Sequence, residues 1–319
     1  MIKNIKWGIL GCGRIAEKFA SDILLIPDCQ LIACASKEIH KATIFAEKFQ
    51  IANYYGDYES MLKLKELDVI YIATTHNFHF SNILLCLENG KNVLCEKPLC
   101  VSTVEVNRVV DAAKSNNLFL MEAMWTAFLP AFRHLVNDVK SGLIGDVRYL
   151  RADFGFRTDY NPVHRLFNPS LAGGCILDIG IYPLYASYEI LGKPETMLLS
   201  NTKAPTGVEI ESTMHMTYLG GATASLYSSI NCNTRNTLEI FGTNGSIWVP
   251  GRFHEISKYT YLSSDGVQYE KSFEKMGWGY SHQIDHVNDC NRNKMTQSDI
   301  MTFDKSKALM EIMEEAIMY

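Results

Sequence analysis

Residues 5–16, "IKWGILGCGRIA", run from an apolar strand through two glycines into a helical pattern. Few folds accept such a junction. Gly11, Gly13 and Ala16 stand as G-x-G-x-x-A at the first strand-to-helix turn of the chain. The first glycine permits a tight turn, the second lets a pyrophosphate approach the backbone, and the small third residue lets helix and strand pack closely. The helix start, at Arg14 and Ile15, offers N–H groups and partial positive charge to an anion. A dinucleotide site is the expectation; the competing reading is a tight turn with no ligand.

The segments that follow keep one rhythm. Helical patterns at 14–24, 38–49, 78–90 and 102–117 alternate with short apolar runs at 30–36, 68–74, 92–96 and 118–122. Near-continuous apolar strands between helices mean a parallel sheet covered on both faces, hence a doubly wound Rossmann layout. Past residue 123 the pattern changes. Longer runs at 146–156, 208–221, 223–232, 236–250 and 258–266 alternate apolar and polar residues between Gly or Asn turns. They predict a mostly antiparallel sheet, open on one face. Helices are expected near 176–191 and 278–292 and at the C-terminus. The expected fold is thus α/β: a Rossmann domain over 1–123, then a C-terminal α/β domain with a large open sheet over 124–319.

The end of the second strand decides the dinucleotide. NAD sites place an acid there to hold the ribose hydroxyls. Here "ACASKE" gives Ser36 and Lys37, with Lys41 one helical turn on. A hydroxyl and two ammonium groups suit a 2′-phosphate, so NADP(H) is expected over NAD(H). Glu38 complicates this, and solvated helix lysines are the plain alternative.

Two further stretches carry chemistry. In "VLCEKPLC" (93–100), Lys97 ends an apolar strand, where open α/β sheets bind ligands, and Pro98 keeps it extended. In "GGCILDIGIYP" (173–183), Asp178 and Tyr182 are spaced to share a helical face. An acid and a phenol on an apolar stretch are costly unless satisfied or used. Helix capping by Asp178 is the structural alternative.

Composition excludes other classes. A net charge of −5 argues against a broad nucleic-acid or anionic-membrane surface. No apolar run reaches the roughly 18 residues of a membrane span. The chain enters a strand almost at once, so no signal peptide is expected. Nine cysteines without a C-x-x-C pair suggest reduced thiols and a cytoplasmic home. "HQIDH" (282–286) lacks the glutamate a zincin needs, so no metal site is expected.

G-x-G-x-x-A, "CEKP" and "GGCILDIGIYP", in this order, resemble the glucose–fructose oxidoreductase/inositol dehydrogenase (Gfo/Idh/MocA) family over essentially the whole chain. "LMEAMWTAFLPAF", "RADFG" and "RLFNPSLAGG" are most similar to its dimeric trans-1,2-dihydrobenzene-1,2-diol and NADP-dependent D-xylose dehydrogenases. The resemblance implies an oxidoreductase acting on a sugar, polyol or cyclic diol, with a C-terminal sheet that forms a homodimer or higher homo-oligomer. It implies catalytic roles for Lys97, Tyr182 and Asp178. Trp125 and Phe154 become aromatic neighbours of substrate, Trp125 also of nicotinamide. The loop "TTHNFHF" (74–80) offers Thr74, Asn77 and His79 to the cofactor, fitting the family pattern loosely. Glu96 and Lys97 of the EKP motif, and Arg165 as an anion or carboxamide contact, complete the implied cofactor set. On this reading Tyr182 is the acid/base and the Lys97 ammonium lowers its pKa, while Asp178 orients substrate or lysine. A non-catalytic NADP-binding redox-sensing regulator is the competing function, although a sensor needs no proton donor beside a nicotinamide.

Overall fold

The computed structural model describes residues 4–319; the first three residues of the expected Rossmann domain lie outside it. In chain order the elements are β1 (Ile5–Leu10), α1 (Arg14–Ile23), β2 (Cys29–Ala35), α2 (Ile39–Phe49), β3 (Asn53–Tyr55), α3 (Tyr58–Leu62) and β4 (Val69–Ile72). Then come α4 (His79–Glu88), β5 (Asn92–Glu96), α5 (Thr103–Ser115), β6 (Leu120–Ala123), α6 (Pro130–Lys140) and β7 (Val147–Gly155). A π-helical turn, Ile176–Gly180, leads into α7 (Ile181–Leu191). The strands β8 (Thr196–Lys203), β9 (Glu209–Thr217), β10 (Thr223–Ser229), β11 (Leu238–Gly242), β12 (Gly245–Val249), β13 (Lys258–Ser263) and β14 (Gln268–Ser272) follow. Helices α8 (Ser281–Arg292) and α9 (Phe303–Met318) end the chain.

The chain divides into two compact units. The first runs to Phe128 and takes in Lys275–Lys307; the second holds Leu129–Glu274 and Ala308–Tyr319. Its composition differs from a single cut at 123/124, because 275–307 returns to the first unit. The Asp22 carboxylate on α1 explains this return. It is fully buried and accepts the N–H groups of Trp278, Tyr280 and Ser281 at 2.7–3.1 Å, seating the start of α8. Trp7 Nε1 donates to Asn288 Oδ1 at 2.9 Å on the same helix. Hydrophobic patterning tells that α8 has an apolar face, not which unit covers it.

The first unit's sheet has the order β3-β2-β1-β4-β5-β6, all parallel. β1 is central, so Ile5, Trp7, Ile9 and Leu10 are buried on both faces. The register sets the strands level. Leu10 pairs with Ala35 and Ile72, Ile72 with Cys95, and Cys95 with Glu122. Gly11, Ser36, Thr74 and Lys97 therefore leave the sheet along its carboxyl edge.

The second unit's sheet has eight strands in the order β14-β13-β12-β11-β7-β10-β9-β8. Only β7 and β10 pair in parallel, so the expected mostly antiparallel sheet is present. Leu150, Ala152, Met216, Leu226 and Ile240 face inward and are buried, while Leu198, Phe241, Trp248 and Leu262 on the other face are exposed.

Candidate active site

In the first unit the glycine loop fits a dinucleotide. Gly11 has φ +93°, and a β-carbon there would come within 2.8 Å of the Ala73 carbonyl oxygen. Gly13 differs: its backbone is extended, and nothing lies within 4 Å of where its β-carbon would be. Gly11 serves the turn, and Gly13 leaves room. No side chain caps the N-terminus of α1, and Arg14 and Ile15 are exposed there. An uncapped helix start behind a β-carbon-sized opening suits a pyrophosphate.

At the end of β2, Ser36 is buried and its Oγ accepts the Glu38 N–H at 3.3 Å. The Lys37 ammonium lies 4.5 Å from the centre of the Phe78 ring. Lys41 pairs with Glu38 at 2.5 Å, and this contact holds the exposed Glu38 carboxyl below its ordinary range.

The 74–79 loop is tied inward. Thr74 Oγ1 accepts from Asn82 Nδ2 at 3.1 Å, and Thr75 Oγ1 donates to Asn77 Oδ1 at 2.8 Å. His79 is fully buried, with Nδ1 2.7 Å from the Pro98 oxygen and Nε2 3.1 Å from the Thr74 oxygen. A neutral imidazole has one N–H, and the shorter contact takes it. Burial pushes the ring down to about 4 against the pull of the two carbonyls, and Lys97 adds to the fall. His79 thus holds backbone.

Lys97 follows β5 and forms a cis bond with Pro98. Glu96 beside it is buried and accepts the Tyr71 hydroxyl. Burial first, then the Glu96 charge, push that phenol well above its ordinary pKa. Trp125 is buried and stacks on Tyr280, with ring centres 5.1 Å apart. Tyr280 was not singled out by the sequence, because only the return of α8 to this unit brings it there.

The second unit assembles the Asp178–Tyr182 motif. Asp178 is not at the N-cap position of α7, which Gly180 occupies. It lies in the π-helical turn, 7% exposed, and Arg165 holds both its oxygens with a guanidinium fork at 3.1 and 3.2 Å. The double glycine makes this possible. A β-carbon on Gly173 would strike the carbonyl oxygens of Arg165, Leu166 and Asn168 at 2.8–2.9 Å, and one on Gly174 (φ +114°) the Glu209 carboxylate at 2.5 Å. Only glycine lets the Arg165 loop close against the turn. Tyr182, in the first turn of α7, is 8% exposed. Its ring centre lies 5.5 Å from Phe154 on β7 and 5.3 Å from His254, and Phe154 stacks on His254 at 4.1 Å. His254, in a short 3-10 turn, carried no spacing signal that would have found it.

Residues 5–124 match the family described as an oxidoreductase family with an NAD-binding Rossmann fold, and residues 132–248 match the GFO/IDH/MocA C-terminal domain. The chain belongs to the Gfo/Idh/MocA oxidoreductase family. Trans-1,2-dihydrobenzene-1,2-diol dehydrogenase of Mus musculus is 36% identical, over 98% of this chain and 96% of that one. The Homo sapiens enzyme of the same name is 34% identical, over 98% and 95%. Among solved structures, a 3-ketoreductase from Actinomadura kijaniata in complex with NADP and TDP-benzene superposes with a TM-score of 0.89 at 21% identity, covering 98% of this chain and 97% of that one. A levoglucosan dehydrogenase in complex with NADH and L-sorbose gives 0.88 at 20% identity, covering 99% and 96%. The family and fold inferred from the motifs are therefore those of the chain, which is an oxidoreductase of the dehydrogenase type. Among the described residues no helix is long and apolar enough to cross a membrane.

Proposed function

We propose that the protein is an NADP(H)-dependent dehydrogenase moving hydride between the nicotinamide and a hydroxyl-bearing carbon of a sugar, polyol or cyclic diol. The observation that carries the reading is Tyr182, a nearly buried phenol walled by Phe154 and His254 and set one helical turn beyond a clamped carboxylate. The curated relatives' name, a diol dehydrogenase, supports the substrate class.

Oxidation of an alcohol removes the hydroxyl proton as hydride leaves carbon. When bound, the nicotinamide supplies the hydride acceptor. Gly11, Gly13 and the start of α1 would hold the pyrophosphate, with Thr74, Asn77, Glu96, Trp125 and Arg165 as further contacts. Tyr182 takes the hydroxyl proton and returns it in reduction. A tyrosine titrates near ~10, so the phenolate needs a stabilising charge at neutral pH. The Lys97 ammonium provides it and polarises the substrate oxygen. Asp178, held by Arg165, accepts a substrate hydroxyl. Phe154 and Trp125 offer apolar faces to a ring. Ser36 and Lys37 would meet the 2′-phosphate; Lys41 is the weaker candidate, since Glu38 already engages it. A homodimer or larger homo-oligomer through the open sheet face, in a reducing cytoplasm that suits nine free cysteines, completes the proposal.

The test is formation of reduced nicotinamide from trans-1,2-dihydrobenzene-1,2-diol and from D-xylose, with NADP and NAD in parallel. The proposal expects turnover with NADP, and a loss of at least ~100-fold in Tyr182→Phe with dinucleotide binding retained. Near-normal turnover in that variant removes the tyrosine from its role. Dinucleotide binding without turnover on either substrate favours the redox-sensing regulator.

A further inference from the structure

Titratable side chains hold both ends of the buried peptide joining Pro98 to Leu99. His79 takes the carbonyl side. Glu122, near the end of β6, accepts the Leu99 N–H at 3.0 Å, and its other oxygen accepts the Ser306 hydroxyl of α9 at 2.6 Å. The carboxyl is 2% exposed, on a strand whose other residues, Leu120, Met121 and Ala123, are apolar and buried. A buried acid at such a position is costly unless it is used. The peptide it holds begins one residue after Lys97, so the clamp governs how the lysine leaves β5.

We propose that Glu122 is a positioning residue for Lys97: its carboxyl fixes the turn from which the lysine projects, and its charge sets the field in which the ammonium works. This rests on the reading of Lys97 as the partner of Tyr182. The charged and titratable groups acting on Glu122 and its neighbours are Lys97 and Glu96, with the thiols of Cys95 and Cys100. Burial pushes Glu122 up to about 7; the bonds from Ser306 and Leu99 and the Lys97 charge pull the other way, and Glu96 adds to the rise. Both protonation states keep the clamp. The acid accepts from Leu99 through one oxygen and donates to Ser306 through the other, as a glutamine would. Titration therefore changes charge and leaves geometry in place. The ionised form offsets the Lys97 ammonium and weakens its hold on the Tyr182 phenolate.

The test compares wild type, Glu122→Gln and Glu122→Ala, each loaded with NADP. In protein labelled with carboxyl-13C glutamate, the resonance absent from Glu122→Gln is expected to titrate near 7; a midpoint at the ordinary ~4.3 overturns the proposal. The Lys97 13Cε resonance, identified by its loss in Lys97→Met, should move with the same midpoint in wild type and not in Glu122→Gln. A Lys97 signal indifferent to Glu122 also overturns it. These readouts hold whether or not the protein turns over, so failure of the dehydrogenase reading is seen separately, as absent turnover. In oxidation of the diol, Glu122→Gln should track wild type below the midpoint and exceed it by about tenfold above it. Glu122→Ala, which opens the clamp, should lose about 100-fold at every pH. Superposable profiles for wild type and Glu122→Gln, or full turnover in Glu122→Ala, overturn the positioning role.

Discussion

Around the glycine loop and Lys97, the groups that shape the site are largely backbone. They comprise the Gly11 turn, the uncapped start of α1, the level strand ends, and the Pro98 carbonyl that His79 holds. Around Tyr182 they are side chains from separate segments: Arg165 from a loop, Asp178 from a π-helical turn, Phe154 from β7 and His254 from a 3-10 turn. A backbone-built site writes itself into sequence as glycines and a proline at fixed spacing. A side-chain-built site depends on which segments become neighbours, and spacing does not record that. The first kind should fail mainly in stability when a support is removed, the second mainly in turnover.

Removing a backbone support gives the largest stability effect. His79→Leu strips the hydrogen-bond donor from the buried Pro98 carbonyl and should cost about 1–3 kcal/mol in urea unfolding at neutral pH. The pH dependence has a definite sign. The folded imidazole titrates near 4, below the ~6.5 of an unfolded histidine, so the unfolded chain takes the proton first. This contribution is complete above ~6.5 and is lost as pH falls toward 4, by up to about 3 kcal/mol. The unfolding midpoint should vary less across that window in His79→Leu. An equal slope in both proteins would erase the distinction between the sites.

In the second unit, Arg165→Met leaves the Asp178 carboxylate without its fork. Unfolding should shift by about 1–3 kcal/mol, while turnover falls by about 10- to 100-fold. Arg165→Lys should recover little, because an ammonium cannot span both oxygens. Recovery by lysine would mean that charge alone matters there.

The sequence reveals most of the fold and about half of this contrast. The parallel sheet is legible because β1, β4 and β5 are largely apolar, Gly11 because its positive φ and the nearby Ala73 carbonyl demand glycine, and Gly13 and Lys97 because of their spacing within their motifs. Edge strands β8 and β14 escape notice, since exposed edges carry polar residues and little alternation. Asp178 and Tyr182 are legible as a pair, but the π-helical turn beneath Asp178 depends on packing. His254, Tyr280 and the return of α8 are fixed by distant contacts such as those of Asp22. Glu122 is visible as a carboxylate inside "LFLMEAM", yet only the fold places it against Leu99.

In the proposed function the Lys97 ammonium makes Tyr182 an acid/base at neutral pH. This role is tested most directly by titrating the Tyr182 phenol, as the ultraviolet difference between wild type and Tyr182→Phe with NADP bound, and repeating this in Lys97→Met. Phenolate formation is expected well below the ordinary ~10 in wild type, with a return to ~10 or above when the lysine is removed. A Tyr182 that titrates at ~10 or higher in wild type, or at the same pH with and without Lys97, contradicts it.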